Sequence, residues 1–130
     1  PPVLYGLPLF PIGNASVYVA ERLAELPHMH SYRNMPTAMD ISPDGSVLAV
    51  LTYRHVYLFK RSPDQSWDSA VHRLPERVTL PPLLQAEALC FGPDGRTIFI
   101  TSEKRPAPLV RIVLDERSAG LNEERPFLEV

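Results

Sequence analysis

The chain has 130 residues, of which 45% are hydrophobic and 22% charged, and its formal net charge is −2. A chain of this length is about one ordinary domain, and its near balance of charge excludes a polycationic footprint, so we expect neither nucleic acid nor an anionic membrane as a partner. No apolar run approaches the ~20 residues of a membrane span, and a single cysteine, Cys90, excludes an internal disulfide and a multi-cysteine zinc site.

The first third of the chain predicts two strands. Residues 3–7 are apolar with a β-like pattern, and residues 17–26 begin with a β-like Val-Tyr-Val and continue into a stretch that would also suit a helix. We favour a strand for the second segment. The sequence contains no basic region followed by an apolar core, which is the pattern of a secretory signal. This does not decide the location of a longer parent protein, for which the periplasm or secretion stays open.

An internal repeat organises the rest of the chain. Residues 38–45 recur at 88–95 with an offset of 50 positions, each copy ending in Pro-Asp-Gly. Pro presets φ, Asp bonds locally and Gly accepts positive φ, so each Pro-Asp-Gly predicts a tight turn. Nearly continuous apolar strands follow at 47–52 and 97–102, and a third strand follows at 55–59 and 108–112, where the offset becomes 53.

The segments around the second copy complete the repeat. Residues 66–71 predict a helical turn with Ser66 as its cap, and residues 77–80 predict a fourth strand that ends at Pro81 and Pro82. Residues 127–130 predict a last strand at the other end of the second copy.

A four-stranded unit of about fifty residues has the size of a β-propeller blade. We therefore predict an all-β fold of antiparallel four-stranded blades, with a half blade at 1–35, a full blade at 36–82 and most of a further blade at 83–130. Closed propellers use ~4–8 blades, so this chain would form an incomplete ring. We expect it to self-associate through open strand edges or to join the remaining blades of a larger parent protein; the alternative fold is a free-standing β-sandwich.

The repeat resembles bacterial propellers of the WD40 or YVTN kind, in the phytase-like and esterase-like group. The resemblance lies in residues 36–45, 51–53 and 56–58, and in residues 85–89 and 101–103. It implies a propeller with its site on the channel face. Ala86-Glu87-Ala88 departs from the usual Glu-Gly of that group, and the chain lacks the dense acidic run of true phytases.

Glu87 and Glu103 are the leading candidates for a ligand or metal site. They flank the second Pro-Asp-Gly turn, and the pairing predicted from that turn places Glu87 opposite Ser102, next to Glu103. Two adjacent carboxylates repel unless a proton or cation lies between them, and Ca²⁺ would accept them as two of its six to eight oxygen ligands. The equivalent residues of the first copy are Thr37 and Tyr53. The alternative is structural: Glu103 pairs with Lys104 or Arg105 at the surface, and Glu87 caps a backbone amide.

The other candidate residues favour structural roles. His28 and His30 share a face of any strand and could ligate zinc, although a surface loop explains them more simply. Cys90 is predicted to be a buried small hydrophobe, and Asp44 and Asp94 recur at turn positions, which indicates structural use. Trp67 is expected to pack its helix onto the outer strand rather than to form a recognition patch.

Three functions remain open at the level of sequence. The first is a scaffold that binds a small molecule, ion or peptide through Glu87. The second is a metal-assisted hydrolase of the phytase-like or lactonase-like kind with Glu87 and Glu103 as ligands, and the third is a protein–protein interaction module. No Gly-x-Ser-x-Gly sequence is present, which argues against a serine hydrolase in this segment.

Overall fold

The fold is all-β. A computed structural model describes residues 1–8, 13, 17–29, 34–103 and 105–115, and the backbone of 128–129. In that part of the chain ten short strands accompany one helix. They are β1 Val3–Gly6, β2 Glu21–Glu25, β3 Ala38–Ile41, β4 Val47–Leu51, β5 His55–Lys60, α1 Trp67–Ala70, β6 Glu76–Thr79, β7 Ala86–Phe91, β8 Thr97–Ser102, β9 Leu109–Val113 and β10 Leu128–Glu129.

The strands form three antiparallel sheets. We call the sheet β3-β4-β5-β6 the central sheet and the sheet β7-β8-β9-β10 the outer sheet; β1 and β2 form a two-stranded sheet. In both four-stranded sheets the strands follow one another in chain order, as the repeat predicts. The all-β class and the antiparallel pairing are therefore confirmed, whereas the propeller and its blade boundaries stay predictions.

The Pro-Asp-Gly turns form as their sequence requires. Gly45 and Gly95 have φ of +72° and +67°, the left-handed region that glycine adopts without steric cost. The carboxylate of Asp44 accepts a hydrogen bond from the Ser46 backbone N–H at 3.0 Å, and Asp94 accepts one from the Arg96 N–H at 3.0 Å. Each aspartate thus holds the strand that follows its turn.

The middle strands of the central sheet, β4 and β5, are covered on both faces. One face packs against the outer sheet and the other against β1 and β2, so these two strands read as nearly continuous apolar runs. The core between the central and outer sheets consists of Ala49, Leu51, Val56, Leu58, Val78, Leu80, Ala86, Ile98, Ile100, Val110 and Ile112. The core between the central and two-stranded sheets consists of Leu4, Ala24, Leu26, Met29, Leu48, Val50, Tyr57, Phe59 and Val71.

The first strands of the two four-stranded sheets lie beside each other. Asp40 on β3 joins them: its Oδ2 accepts the Phe91 backbone N–H of β7 at 2.8 Å, while its Oδ1 accepts the N–H of Ile41 at 2.9 Å. One carboxylate therefore bonds the backbones of both sheets.

Most of the predicted elements are found, most of them with boundaries within one residue of the prediction. The strand favoured within residues 17–26 is β2, and Ser66 caps α1 by accepting a hydrogen bond from the Ser69 N–H. Leu128 and Glu129 pair with β9, whereas residues 127 and 130 lie outside the described residues. No helix in the described part of the chain is long and apolar enough to cross a membrane.

Cys90 corrects one prediction. It lies on β7 as expected, but its side chain is exposed, because it points to the face of the outer sheet that no described residue covers. Its neighbours Leu89 and Phe91 point to the opposite face and pack against the core.

Candidate functional site

The candidate site lies where β7 begins. Gln85, just before the strand, has a φ of +54°, a conformation that non-glycine residues seldom adopt. The pairing of β7 with β8 then shifts between Ala86 and Ala88, so Glu87 is the extra residue of a β-bulge. Bulges redirect a side chain relative to the regular pleat, and here the side chain concerned is a carboxylate.

The bulge corrects the predicted pairing by one residue. Ser102 lies opposite Ala86, and Thr101 lies opposite Ala88, so Glu87 has no partner directly across the hairpin. The error has a simple cause, because counting back from the turn assumes one residue for one, and the bulge inserts an additional residue.

Two side chains of the central sheet reach this bulge. The Tyr53 hydroxyl donates a hydrogen bond to Glu87 Oε1 at 3.0 Å, and the Thr37 hydroxyl donates one to the Ala86 carbonyl at 2.7 Å. We call Thr37, Tyr53, Gln85, Glu87 and Glu103 the junction site, since it joins the two sheets at one end of β3 and β7. The Tyr53 hydroxyl is thus a donor to the carboxylate for which the structural alternative predicts a backbone amide.

Glu103 completes the junction site from the end of β8. Its backbone N–H donates to the Gln85 carbonyl at 3.2 Å, and its side chain is exposed. Glu103 occupies in the outer sheet the repeat position that Tyr53 occupies in the central sheet. The two glutamates thus lie at the same end of one hairpin, and Glu87 is bound by the Tyr53 side chain.

The junction site offers few ligands to a metal. Among the described residues no group of three or more His, Cys, Asp or Glu side chains is placed to hold an ion. Glu87 and Glu103 could supply two oxygen ligands, so Ca²⁺ would take the rest of its six to eight from water or from other chain segments. Calcium at this place stays a prediction.

The remaining candidates have structural contacts. The ring of His28 contacts the His72 carbonyl oxygen through Nε2 at 3.2 Å, and His30 lies outside the described residues, so the histidine pair is untested. Trp67 packs against the core between the central and two-stranded sheets. The guanidinium of Arg61 lies 4.7 Å from the centre of the Trp67 ring. Trp67 is therefore a packing residue, whereas its predicted contact with the outer strand stays a prediction.

Tyr53 and Thr37 belong to the site, although their sequence pattern does not predict it. They are the first-copy equivalents of Glu103 and Glu87, and they contact the second copy. The available signal was the repeat itself: equivalent positions in stacked units lie near each other, so Thr37 and Tyr53 belong beside residues 86–87.

Comparison with known proteins does not assign this chain to a family. No family model matches it, and neither the curated proteins nor the solved structures that were searched give a match. Any function proposed for the chain must therefore be argued from its own residues.

Proposed function

We propose that this chain is a segment of a β-propeller that acts as a binding scaffold and holds a small ligand or cation at the junction site. The observation that carries the proposal is the hydrogen bond from Tyr53 to the bulged Glu87, which fixes one carboxylate oxygen between two sheets. A carboxylate oriented in this way is preorganised to bind, because its ordering is already provided by the fold.

The chemistry of the ligand follows from the donor set. Glu87 Oε1 accepts the Tyr53 hydroxyl, and the second oxygen of this half-buried carboxylate would bind the ligand. Glu103 adds a second, exposed carboxylate on the same hairpin. The site would therefore prefer a hard divalent cation such as Ca²⁺, with remaining positions filled by other blades or water.

A calcium titration followed by NMR tests the proposal. We expect the amide signals of residues 85–87 and 103 to shift as Ca²⁺ rises to about 10 mM, well above the ~10⁻³ M of weak calcium modules. Glu87→Gln should weaken binding at least tenfold, and Tyr53→Phe should weaken it less, because the carboxylate charge remains.

Asp64→Asn is the matched control, since Asp64 is an exposed carboxylate outside the junction site. It should leave the titration unchanged. Shifts that are absent in the wild-type chain, or that persist in Glu87→Gln, would contradict a cation site at Glu87.

The metal-assisted hydrolase remains the alternative. It would require further metal ligands and acid–base groups from other blades, around an ion held by Glu87 and Glu103. Hydrolysis of a phosphate or lactone ester by the calcium-loaded parent protein, lost in Glu87→Gln, would favour it over a scaffold.

A further inference from the structure

An apolar strip on β3 is left uncovered. Met39 and Ile41 are 50% and 40% exposed, although both point to the face of the central sheet that packs against β1 and β2. Their repeat equivalents on β7 are Leu89 and Phe91, which are partly buried and pack against the core beneath the central sheet. The same position in the repeat is thus covered in one sheet and exposed in the other.

The strip is continuous with an existing interface. Met39 lies opposite Val50 and Ile41 lies opposite Leu48 in the β3–β4 pairing, so all four side chains share one face. Val50 and Leu48 belong to the core formed with β1 and β2, and that core includes no residue of β3. The two-stranded sheet therefore covers β4 and β5 and stops short of β3.

The two-stranded sheet also has an unpaired strand edge. In the described part of the chain β1 pairs with β2 on one side and with no strand on the other. An unpaired edge exposes backbone N–H and C=O groups that a further strand can satisfy. Two more strands added beyond β1 would do both things at once: one would pair with the open edge of β1, and the other would cover the apolar strip on β3.

We infer that a two-stranded β-hairpin of the same repeat type docks here, with its second strand paired antiparallel to β1 and its first strand over Met39 and Ile41. This occupant would complete the two-stranded sheet to the four-stranded form of its neighbours. The inference concerns how the array is completed and does not depend on whether the junction site binds a cation.

The facing side chains of this hairpin can be deduced from the covered copy. Leu89 and Phe91 lie against the side of the central sheet that carries Ala38, Ala49 and Leu51. The occupant should therefore present small and branched apolar side chains to Met39 and Ile41, in the pattern of the β3–β4 hairpin.

A second copy of the chain fits this place poorly. Antiparallel pairing of β1 with β1 of another copy has its two-fold axis perpendicular to the sheet. The two-fold axis would place the central sheets of both copies on the same face of the joined two-stranded sheets. There the two central sheets would overlap in space. A hairpin that carries no further sheet on that face meets no such obstacle.

A fusion protein tests the inference. Residues 36–52, which contain β3, its turn and β4, are joined directly ahead of Pro1, so that Thr52, Pro1 and Pro2 link the added hairpin to β1. The native connection between β4 and β5 also runs over three residues, from Thr52 to Arg54. We expect the midpoint of thermal unfolding to rise by about 4 °C or more, the shift that roughly 1 kcal/mol produces in a domain of this size.

Met39→Glu and Ile41→Glu together, made in the original chain and not in the added hairpin, should abolish the rise in the midpoint, because docking would bury two carboxylates. The pair should scarcely alter the unfused chain, since both positions are exposed. Leu74→Glu is the matched control, because Leu74 is 84% exposed and lies outside β3; it should leave the rise intact.

Amide hydrogen exchange gives a second measurement that does not depend on thermal unfolding. The β1 amides that point away from β2 should gain at least tenfold protection in the fusion. An unchanged midpoint together with unchanged exchange would overturn the inference, as would a rise that persists in the Met39→Glu and Ile41→Glu pair. A dimer of the unfused chain that this pair converts to a monomer would also overturn it in favour of a second copy.

Discussion

The central and outer sheets share one strand order and one turn, yet their far faces differ. Four side-chain positions match between the two sheets on the face that points away from β1 and β2. They lie on β4 and β5 in the central sheet and on β8 and β9 in the outer sheet. In the central sheet they are Ala49, Leu51, Val56 and Leu58, all buried. In the outer sheet they are Phe99, Thr101, Leu109 and Arg111, none of them buried.

The two sheets thus share one backbone arrangement, set by the repeat. Their side chains decide whether this face can pack against another sheet. A face with a threonine and an arginine is suited to water or to a polar neighbour, whereas the strip of Met39 and Ile41 is suited to an apolar one. The array therefore has two unlike ends, and the inferred hairpin belongs at the β1 end.

Truncation of a buried side chain should break this comparison most strongly. Leu58 is 2% exposed between the central and outer sheets, so Leu58→Ala should lower the free energy of unfolding by about 2–5 kcal/mol through lost transfer energy and the cavity left behind. Urea denaturation of the folded chain measures this change.

Leu109→Ala is the control on the outer sheet. Leu109 is 63% exposed, so its truncation should change the free energy of unfolding by no more than about 0.5 kcal/mol. A loss as large as that of Leu58→Ala would mean that the far face of the outer sheet is covered in solution.

The contact between the sheets should give the next largest effect. Asp40→Ala removes the acceptor of the Phe91 N–H and should cost about 1–3 kcal/mol of unfolding free energy, because a partly buried donor loses its partner. Cys90→Ala, at the repeat-equivalent position, should change it by less than about 0.5 kcal/mol. Equal effects would show that the carboxylate contributes nothing to the junction.

His55 should make the central sheet sensitive to mild acid. Burial first, and then the positive charges of Arg77 and Arg54, lower the pKa of His55 below its usual 6.5. Its Nδ1 is buried without a hydrogen-bond partner among the described residues. A lowered pKa means that the folded state binds the proton more weakly than the unfolded state. Stability should therefore be full above pH 6.5 and should decline as the pH falls below it.

Thermal unfolding followed from about pH 7 to pH 5 measures this decline. His55→Gln should remove it, and His72→Gln, at an exposed histidine, should leave it in place. A profile that His55→Gln does not alter would assign the decline to other groups.

The two turns should give the smallest effect and should not distinguish the sheets. Hydrogen bonds from Ser42 and Ser46 lower the pKa of Asp44 to about 2, and bonds from Thr97 and Arg96 lower that of Asp94 to about 2. Both contributions should be present above pH 3.8 and should be lost as the pH falls toward 2. Asp44→Asn and Asp94→Asn should each lower the thermal midpoint slightly at neutral pH and weaken this acid dependence.

Asp64→Asn serves again as the control, because it changes an exposed carboxylate outside both turns. Turn variants that differ strongly from each other would indicate that the turns depend on the sheet they belong to.

The repeat made most of the fold predictable. Pro-Asp-Gly requires a turn at a fixed place, and the apolar runs on either side then have only one antiparallel partner, so the strand order of both four-stranded sheets follows. The exposure of Cys90 did not follow, because a single sequence shows which residues alternate but not which of the two faces another layer covers.

The candidate site was predictable in part. Glu87 and Glu103 lie on one hairpin end as expected, and their ligand stays a prediction. The bulge at Glu87 was missed because pairing counted from a turn reveals no inserted residue. Tyr53 was missed because its contact joins residues 34 positions apart, and only the stacking of the sheets brings them together.

The bond from the Phe91 N–H to Asp40 gives the molecule an internal reporter. This amide lies on the edge of β7 and is bonded to a side chain of the other sheet, so the β7–β8 hairpin does not protect it. Its exchange with deuterated solvent should therefore record each separation of the two sheets, while the amides within each hairpin record unfolding. If the Phe91 amide exchanges faster than the amides within the hairpins, the two sheets separate as independent cooperative units before either of them unfolds.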